Sequence, residues 1–139
     1  MTYDEVIHFL YNSLPVFHRE GKKAYKPGLD NIASLCAQLN NPHHSFKSLH
    51  IAGTNGKGSS SHFIASILQE HGYKVGLYTS PHLKSFTERI KINGIDVSKE
   101  WVSTFVSDKK NIIQEVSPSF FEWTVAMAFC YFKEQQVDW

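Results

Sequence analysis

The sequence predicts an α/β fold: a parallel sheet flanked by helices, incomplete along one edge, with a small β-hairpin insertion. Three observations predict it. SLHIA at residues 48–52 and KVGLYTS at 74–80 are short apolar runs of strand length. Between them, SSSHFIASILQEHG carries Phe63, Ile64, Ile67 and Leu68 on one helical stripe, with Gly72 as its stop. Strand, helix, strand in that order is a βαβ unit, which implies parallel pairing and a right-handed crossover. Third, ERIKINGIDVS alternates, with Ile90 and Ile92 on one arm and Ile95 and Val97 on the other about an Asn93-Gly94 turn.

The other elements follow in order. TYDEVIHFLYNSL has the capping-box pattern Thr2-x-x-Glu5, then Val6, Phe9, Leu10 and Leu14 at helical spacing. A basic, polar loop follows to about Pro27. GLDNIASLCAQLNNP sets Leu29, Ile32, Ala33, Cys36 and Leu39 on one face, and Asn40-Asn41-Pro42 ends that helix. After the hairpin, Trp101, Val102, Phe105, Val106, Ile112 and Ile113 mark a further helix that Pro118 breaks. SFFEWTVAMAFCYFKEQQ is the last helix, apolar nearly all round and so expected to be buried on several sides. Val137-Asp138-Trp139 reads as the first residues of another strand.

The 139 residues fit one domain. Formal net charge is +1, from 14 basic and 13 acidic residues, which gives no electrostatic case for nucleic acid or an anionic membrane. The basic run HREGKKAYK at 18–26 reads as a solvated loop, with an anion-binding patch as the alternative. Cys36 and Cys130 have neither metal-type nor CxxC spacing and read as free thiols. The His43-His44 pair lacks chelating spacing. No secretory leader and no bilayer-length apolar run is present, so the cytoplasm is the expected compartment.

The chemistry concentrates in HIAGTNGKGSS, residues 50–60. A helix N-terminus leaves backbone N–H groups unpaired and adds partial positive charge, and phosphate satisfies both. Gly53, Gly56 and Gly58 let the backbone come close, Lys57 brings an ammonium, and Ser59 brings a hydroxyl for Mg²⁺. Thr54 and Asn55 complete the loop. This makes the fold P-loop NTPase-like, although Ile51 stands where GxxxxGK[ST] has its first glycine and Ser59 comes one step late. On spacing alone, an ordinary βα turn stays open.

GTNGKGS resembles the loop of the Mur ligase superfamily, and GKGS resembles its branch of folylpolyglutamate and dihydrofolate synthases. YTSPHL at 78–83, FTERIKING at 86–94, SFFEWTVAMAFCYF at 119–132, GLDNI at 28–32 and the approach NNPHHSFKSLHIAG are similar to the same branch. The resemblance runs from about residue 25 onward. It implies that residues 1–139 are the N-terminal part of the ATP-binding (central) domain, without the C-terminal glutamate-ligase domain. It further implies an ATP- and Mg²⁺-dependent cytoplasmic ligase that adds L-glutamate to a folate or dihydropteroate carboxylate through an acyl phosphate, this piece alone being inactive. The full-length enzyme is expected to be a monomer. The alternatives are a non-catalytic nucleotide-binding fragment or another Mur-type ligase.

Under the resemblance, Gly53, Thr54, Asn55, Gly56, Lys57, Gly58 and Ser59 cradle ATP, with Lys57 on the β and γ phosphates as the catalytic group. Ser80 is the metal ligand. Ser119, Phe120, Phe121 and Glu122, with His82, meet the pteroate group. The residues also carry plainer readings. Ser119-x-x-Glu122 is a capping box, Ser80 before Pro81 can simply end a strand, and His82 can be a turn residue.

Overall fold

The computed structural model describes residues 1–15 and 28–139; the basic run at 18–26 lies outside them. Thr2 closes the N-terminus of α1 (Tyr3–Ser13). Its hydroxyl accepts the Glu5 N–H at 3.3 Å while the Glu5 carboxylate accepts the Thr2 N–H at 2.8 Å, the predicted capping box. Helix α2 (Asp30–Gln38) ends where Asn40 and Asn41 take positive φ, followed by a 3₁₀ turn at Pro42–His44. Helix α3 (Lys57–Glu70) closes in a Schellman arrangement. Gly72, at φ 86°, donates to Gln69, and Tyr73 donates back to Leu68.

Strand β1 (Gly76–Tyr78) leads through a loop and a 3₁₀ turn (Phe86–Arg89) into the hairpin of β2 (Ile90–Ile92) and β3 (Ile95–Asp96). Asn93 and Gly94 both have positive φ, as a two-residue turn that follows the strand twist requires. Ile92 pairs with Ile95 and Lys91 with Asp96, and the latter two form an ion pair. Ile90, Ile92 and Val97 enter the core, but Ile95, at the tip, is 73% exposed. Helices α4 (Lys99–Val116) and α5 (Phe120–Glu134) complete the chain, each capped by a serine hydroxyl, Ser98 and Ser119.

The core forms where α1 packs on α4 and α2 packs on both α4 and α5. Val6, Leu10, Leu35, Val102, Val106, Trp123 and Met127 are fully buried there. Helix α5 is its centre, as its all-round apolarity predicts. Gly76 lets β1 lie against it: a Cβ at that position falls 2.5 Å from Cδ1 of Phe132. Both cysteines are free. Burial pushes the Cys130 thiol up to about 12, and Cys36 is raised for the same reason. Alkylation of Cys130 at pH 8 is therefore expected to run on the order of a hundredfold slower in the native chain than after unfolding, measured by mass spectrometry of iodoacetamide adducts.

The expected parallel pairing of 48–52 with 74–80 is not formed. The hydrogen-bonded sheet of the described residues is β1-β2-β3, antiparallel throughout. The reason lies in Asp138. Its N–H donates to the Lys74 carbonyl at 2.8 Å and its carbonyl accepts the Lys47 N–H at 3.1 Å. Residues 137–139 thus lie between the two segments and run in the same direction as 74–76, with Gly76 N–H donating to Trp139. The crossover skips a position, and 48–52 forms no ladder among the described residues. Helix α3 differs from expectation too. None of its side chains is buried, and Phe63 and Ile67 are 70% and 58% exposed.

Candidate functional site

The loop at 53–59 enters α3 through Gly56, whose φ of 76° favours glycine and which makes no side-chain cap. The first-turn amides of α3 therefore point out of the helix with no capping side chain on them. The whole stretch is exposed. A Cβ built on Gly53, Gly56 or Gly58 meets nothing within 4 Å. Packing within the chain thus gives no reason for glycine at 58, where φ is also ordinary. Lys57 folds back over the loop, its Nζ donating to the carbonyls of Gly53 at 2.6 Å and Thr54 at 3.2 Å. An ammonium, a helix N-terminus and an open glycine backbone are together a receptor for a polyanion.

A second group of candidates gathers past the carboxyl end of β1. Ser80 is exposed and precedes Pro81 through a cis peptide. The Tyr78 hydroxyl bonds Thr124 Oγ1 of α5 at 2.8 Å. Burial raises its pKa, an effect opposed by Thr124, Arg89 and Ser80. Phe121 meets Tyr78 edge to face at 6.1 Å and is 56% exposed. Its neighbour Phe120 turns the other way: it is 5% exposed and stacks on Tyr11 at 4.8 Å. Only the second of the two phenylalanines offers a free ring face. Ser119 and Glu122 close the capping box on α5. The Glu122 carboxylate accepts the Ser119 N–H at 2.7 Å and its hydroxyl at 2.8 Å, and Asn31 donates to it at 3.4 Å.

His82 stands on the far side of this group. Its Nδ1 accepts from Arg89 Nε at 2.8 Å, and burial, then the Arg89 charge, lowers its pKa. The loop before Arg89 is held by Glu88, whose carboxylate takes the N–H groups of Leu83, Lys84 and Ser85 and is lowered by them. Among the described residues no hydrogen bond joins loop 53–59 to Ser80, His82 or 119–122. Tyr78, Thr124 and Arg89 were not singled out as site residues from the sequence. YTSPHL, FTERIKING and SFFEWTVAMAFCYF flagged their neighbourhood, and the resemblance implies that the Ser80 to Arg89 loop borders the folate site.

No family model matches the chain. Among curated proteins, it is 42% identical over 123 residues to the dihydrofolate synthase/folylpolyglutamate synthase of Bacillus subtilis, covering 84% of this chain and 29% of that one. Among solved structures, the folylpolyglutamate synthase of Thermotoga maritima superposes with a TM-score of 0.86 at 43% identity, over 98% of this chain and 31% of that one. The chain is a relative of the folylpolyglutamate and dihydrofolate synthases. Another synthase, from Mycobacterium tuberculosis and complexed with ADP, superposes at 0.83 with 32% identity, over 98% of this chain and 30% of that one. The chain spans about 30% of the length of these synthases. The likeness covers the glycine loop, β1 and the 119–122 turn together, because the alignments take in nearly the whole chain. No described helix is long and apolar enough to cross a membrane.

Proposed function

We propose that the protein carrying this chain is an ATP-dependent ligase that joins L-glutamate to a folate or dihydropteroate carboxylate through an acyl phosphate. Residues 1–139 are the front part of its ATP-binding domain. The observation that carries this reading is the open glycine loop at the N-terminus of α3, with Lys57 poised across it. A solved synthase complex holding AMPPCP and folate superposes on 99% of the chain with a TM-score of 0.77 at 31% identity.

In this reading Gly53 to Ser59 hold the phosphates of ATP, and Lys57 swings from its carbonyls onto the β and γ phosphates. The amides at the start of α3 take up charge as the γ-phosphoryl group leaves for the substrate carboxylate. The glutamate amine then attacks the acyl phosphate and phosphate departs. Phe121 supplies a ring face for the flat pteridine. Ser119 and Glu122 hold that turn in place, and His82 borders the substrate.

Mg²⁺ fits the donors present. Ser80 places one exposed hydroxyl beyond β1, and the described residues hold no cluster of three His, Cys, Asp or Glu. Magnesium keeps several waters and takes few protein oxygens alongside phosphate, so one serine with a nucleotide suits it. When bound, it neutralises phosphate charge.

The test is ATP-dependent incorporation of labelled glutamate by the full-length protein, supplied with dihydropteroate and, separately, a reduced folate. ATP turnover is expected to require both the acid and glutamate. ATP consumption with no new amide would reject the assignment. Gly58→Ala sharpens it. The site has ordinary φ and free space, so alanine is expected to keep or raise stability by about 0.5–1 kcal/mol in thermal melts. The same methyl enters the phosphate space, and nucleotide affinity in a fluorescent-nucleotide titration is expected to fall at least about tenfold.

A further inference from the structure

Arg89 is a buried cation with no carboxylate beside it. It is 7% exposed, while the one ion pair among the described residues is Lys91 with Asp96. Its sequence neighbour Glu88 is committed elsewhere, to the N–H groups of Leu83, Lys84 and Ser85. The guanidinium lies instead over the rings of Phe120, at 5.2 Å, and Phe86, at 6.0 Å. Burying a cation costs several kcal/mol unless partners offset it, and ring faces return only about 0.5–2 kcal/mol. The Tyr78 hydroxyl, which Arg89 reaches by charge and hydrogen bonding, offsets part of the remainder.

What Arg89 does achieve is directional. Its Nε–H donates to His82 Nδ1 at 2.8 Å. An imidazole that accepts at Nδ1 carries its proton on Nε2. His82 lines a cavity of about 700 Å³ bounded by α1, residues 82–86 and Lys99, and its Nε2 lies 3.5 Å from the Tyr11 hydroxyl, another lining residue. The contact is at the long limit of a hydrogen bond, so the donor is not used up by it. Lys84, Lys99 and His8 also line the cavity, with Asp4 the one acid among its lining residues.

We propose that Arg89 is a positioning residue: it fixes His82 as the neutral Nε2–H tautomer, so that a donor backed by buried positive charge faces a carboxylate oxygen of the pteroyl substrate in this cavity. The second half rests on the ligase reading above; the first half does not.

The two halves are tested separately. Long-range ¹H–¹⁵N spectra of the labelled chain, with His82→Gln to assign the ring, are expected to show a pyridine-like nitrogen at Nδ1 and a protonated one at Nε2 at neutral pH. The reverse tautomer, or a doubly protonated ring, overturns the proposal with no Arg89 variant needed. In Arg89→Met the fixed tautomer is expected to give way to a mixture, and Arg89→Lys, which still donates, to restore it in part. An unchanged ring in folded Arg89→Met overturns the role of Arg89. Pteroate is the ligand probe. It is expected to move the His82 Nε2–H resonance and to bind about tenfold more weakly to Arg89→Met, with nucleotide affinity unchanged. Pteroate that shifts the Phe121 ring but not His82 overturns the substrate half and leaves the ligase reading standing. Pteroate that shifts neither ring in the full-length protein overturns the substrate half, and amide formation in the ligation assay above then decides the ligase reading by itself.

Discussion

On the ligase reading proposed above, Lys57→Ala is expected to abolish nucleotide binding by the full-length protein while leaving its fold in place. The ammonium donates only to two carbonyls of its own exposed loop, Gly53 and Thr54. Exposed contacts of this kind contribute little, so the loss of stability is expected to stay within about 1 kcal/mol. Binding is another matter. Each charge-assisted hydrogen bond to phosphate is worth about 1.5–3 kcal/mol, and a lysine astride two phosphates makes at least two. The affinity for ATP should therefore fall about a hundredfold or more, and glutamate ligation by the full-length enzyme should vanish. Lys57→Arg keeps the charge but presents a planar fork in place of a compact ammonium, and is expected to recover little. A fluorescent-nucleotide titration beside a thermal melt separates the two effects. Affinity in Lys57→Ala within threefold of the unchanged chain would remove the lysine from the phosphate site. A large fall in melting temperature would show instead that its bonds to the loop are structural.

Several features were legible in the sequence because their causes are local. The capping boxes at Thr2/Glu5 and Ser119/Glu122 each lie within four residues, and the Asn93-Gly94 turn needs only its own two dihedrals. The glycine loop is legible for the same reason: strand-length run, glycines, lysine and helix follow one another directly. Lateral order in the sheet is not local. Residues 48–52 and 74–80 both read as strands, yet only folding shows Asp138 bonded to Lys47 on one side and Lys74 on the other. Adjacent aromatics are ambiguous in the same way. Phe120 and Phe121 are equivalent as letters, and the pitch of α5 sends the first to Tyr11 and the second to the surface beside Tyr78. The contact between Arg89 and His82 exists only because the Glu88 carboxylate gathers the loop between them and a 3₁₀ turn then carries Arg89 inward. No spacing rule anticipates it. For Ser119 and Glu122 the cap is plain in the structure, and it is compatible with a place beside the substrate, since the cap is what holds Phe121 outward.

Apolar periodicity misleads most where a helix lacks a partner, and this gives the largest stability contrast. Trp123 and Phe63 both lie on apolar stripes of helices. Trp123 is fully buried at the centre of α5, edged by Phe105 at 5.8 Å, whereas Phe63 on α3 is 70% exposed. Trp123→Ala is expected to cost about 3–5 kcal/mol, because the lost transfer free energy and the cavity left behind add together. Small domains are stable by only about 5–15 kcal/mol, so urea denaturation should find this variant largely unfolded or close to it. Trp123→Phe is the informative companion. The indole N–H has no hydrogen-bond partner among the described residues, and an unpaired buried donor carries a penalty of about 1–3 kcal/mol. Removing it offsets part of the volume lost, so phenylalanine is expected to cost less than half of what alanine does. Phe63→Ser should change stability by no more than about 0.5 kcal/mol, since nothing buried is given up. If Phe63→Ser instead destabilised this chain as much as Trp123→Ala does, α3 would have to pack against the core by its Phe63 face. The exposed glycine loop at its N-terminus would then have a different orientation from the one on which the phosphate site depends.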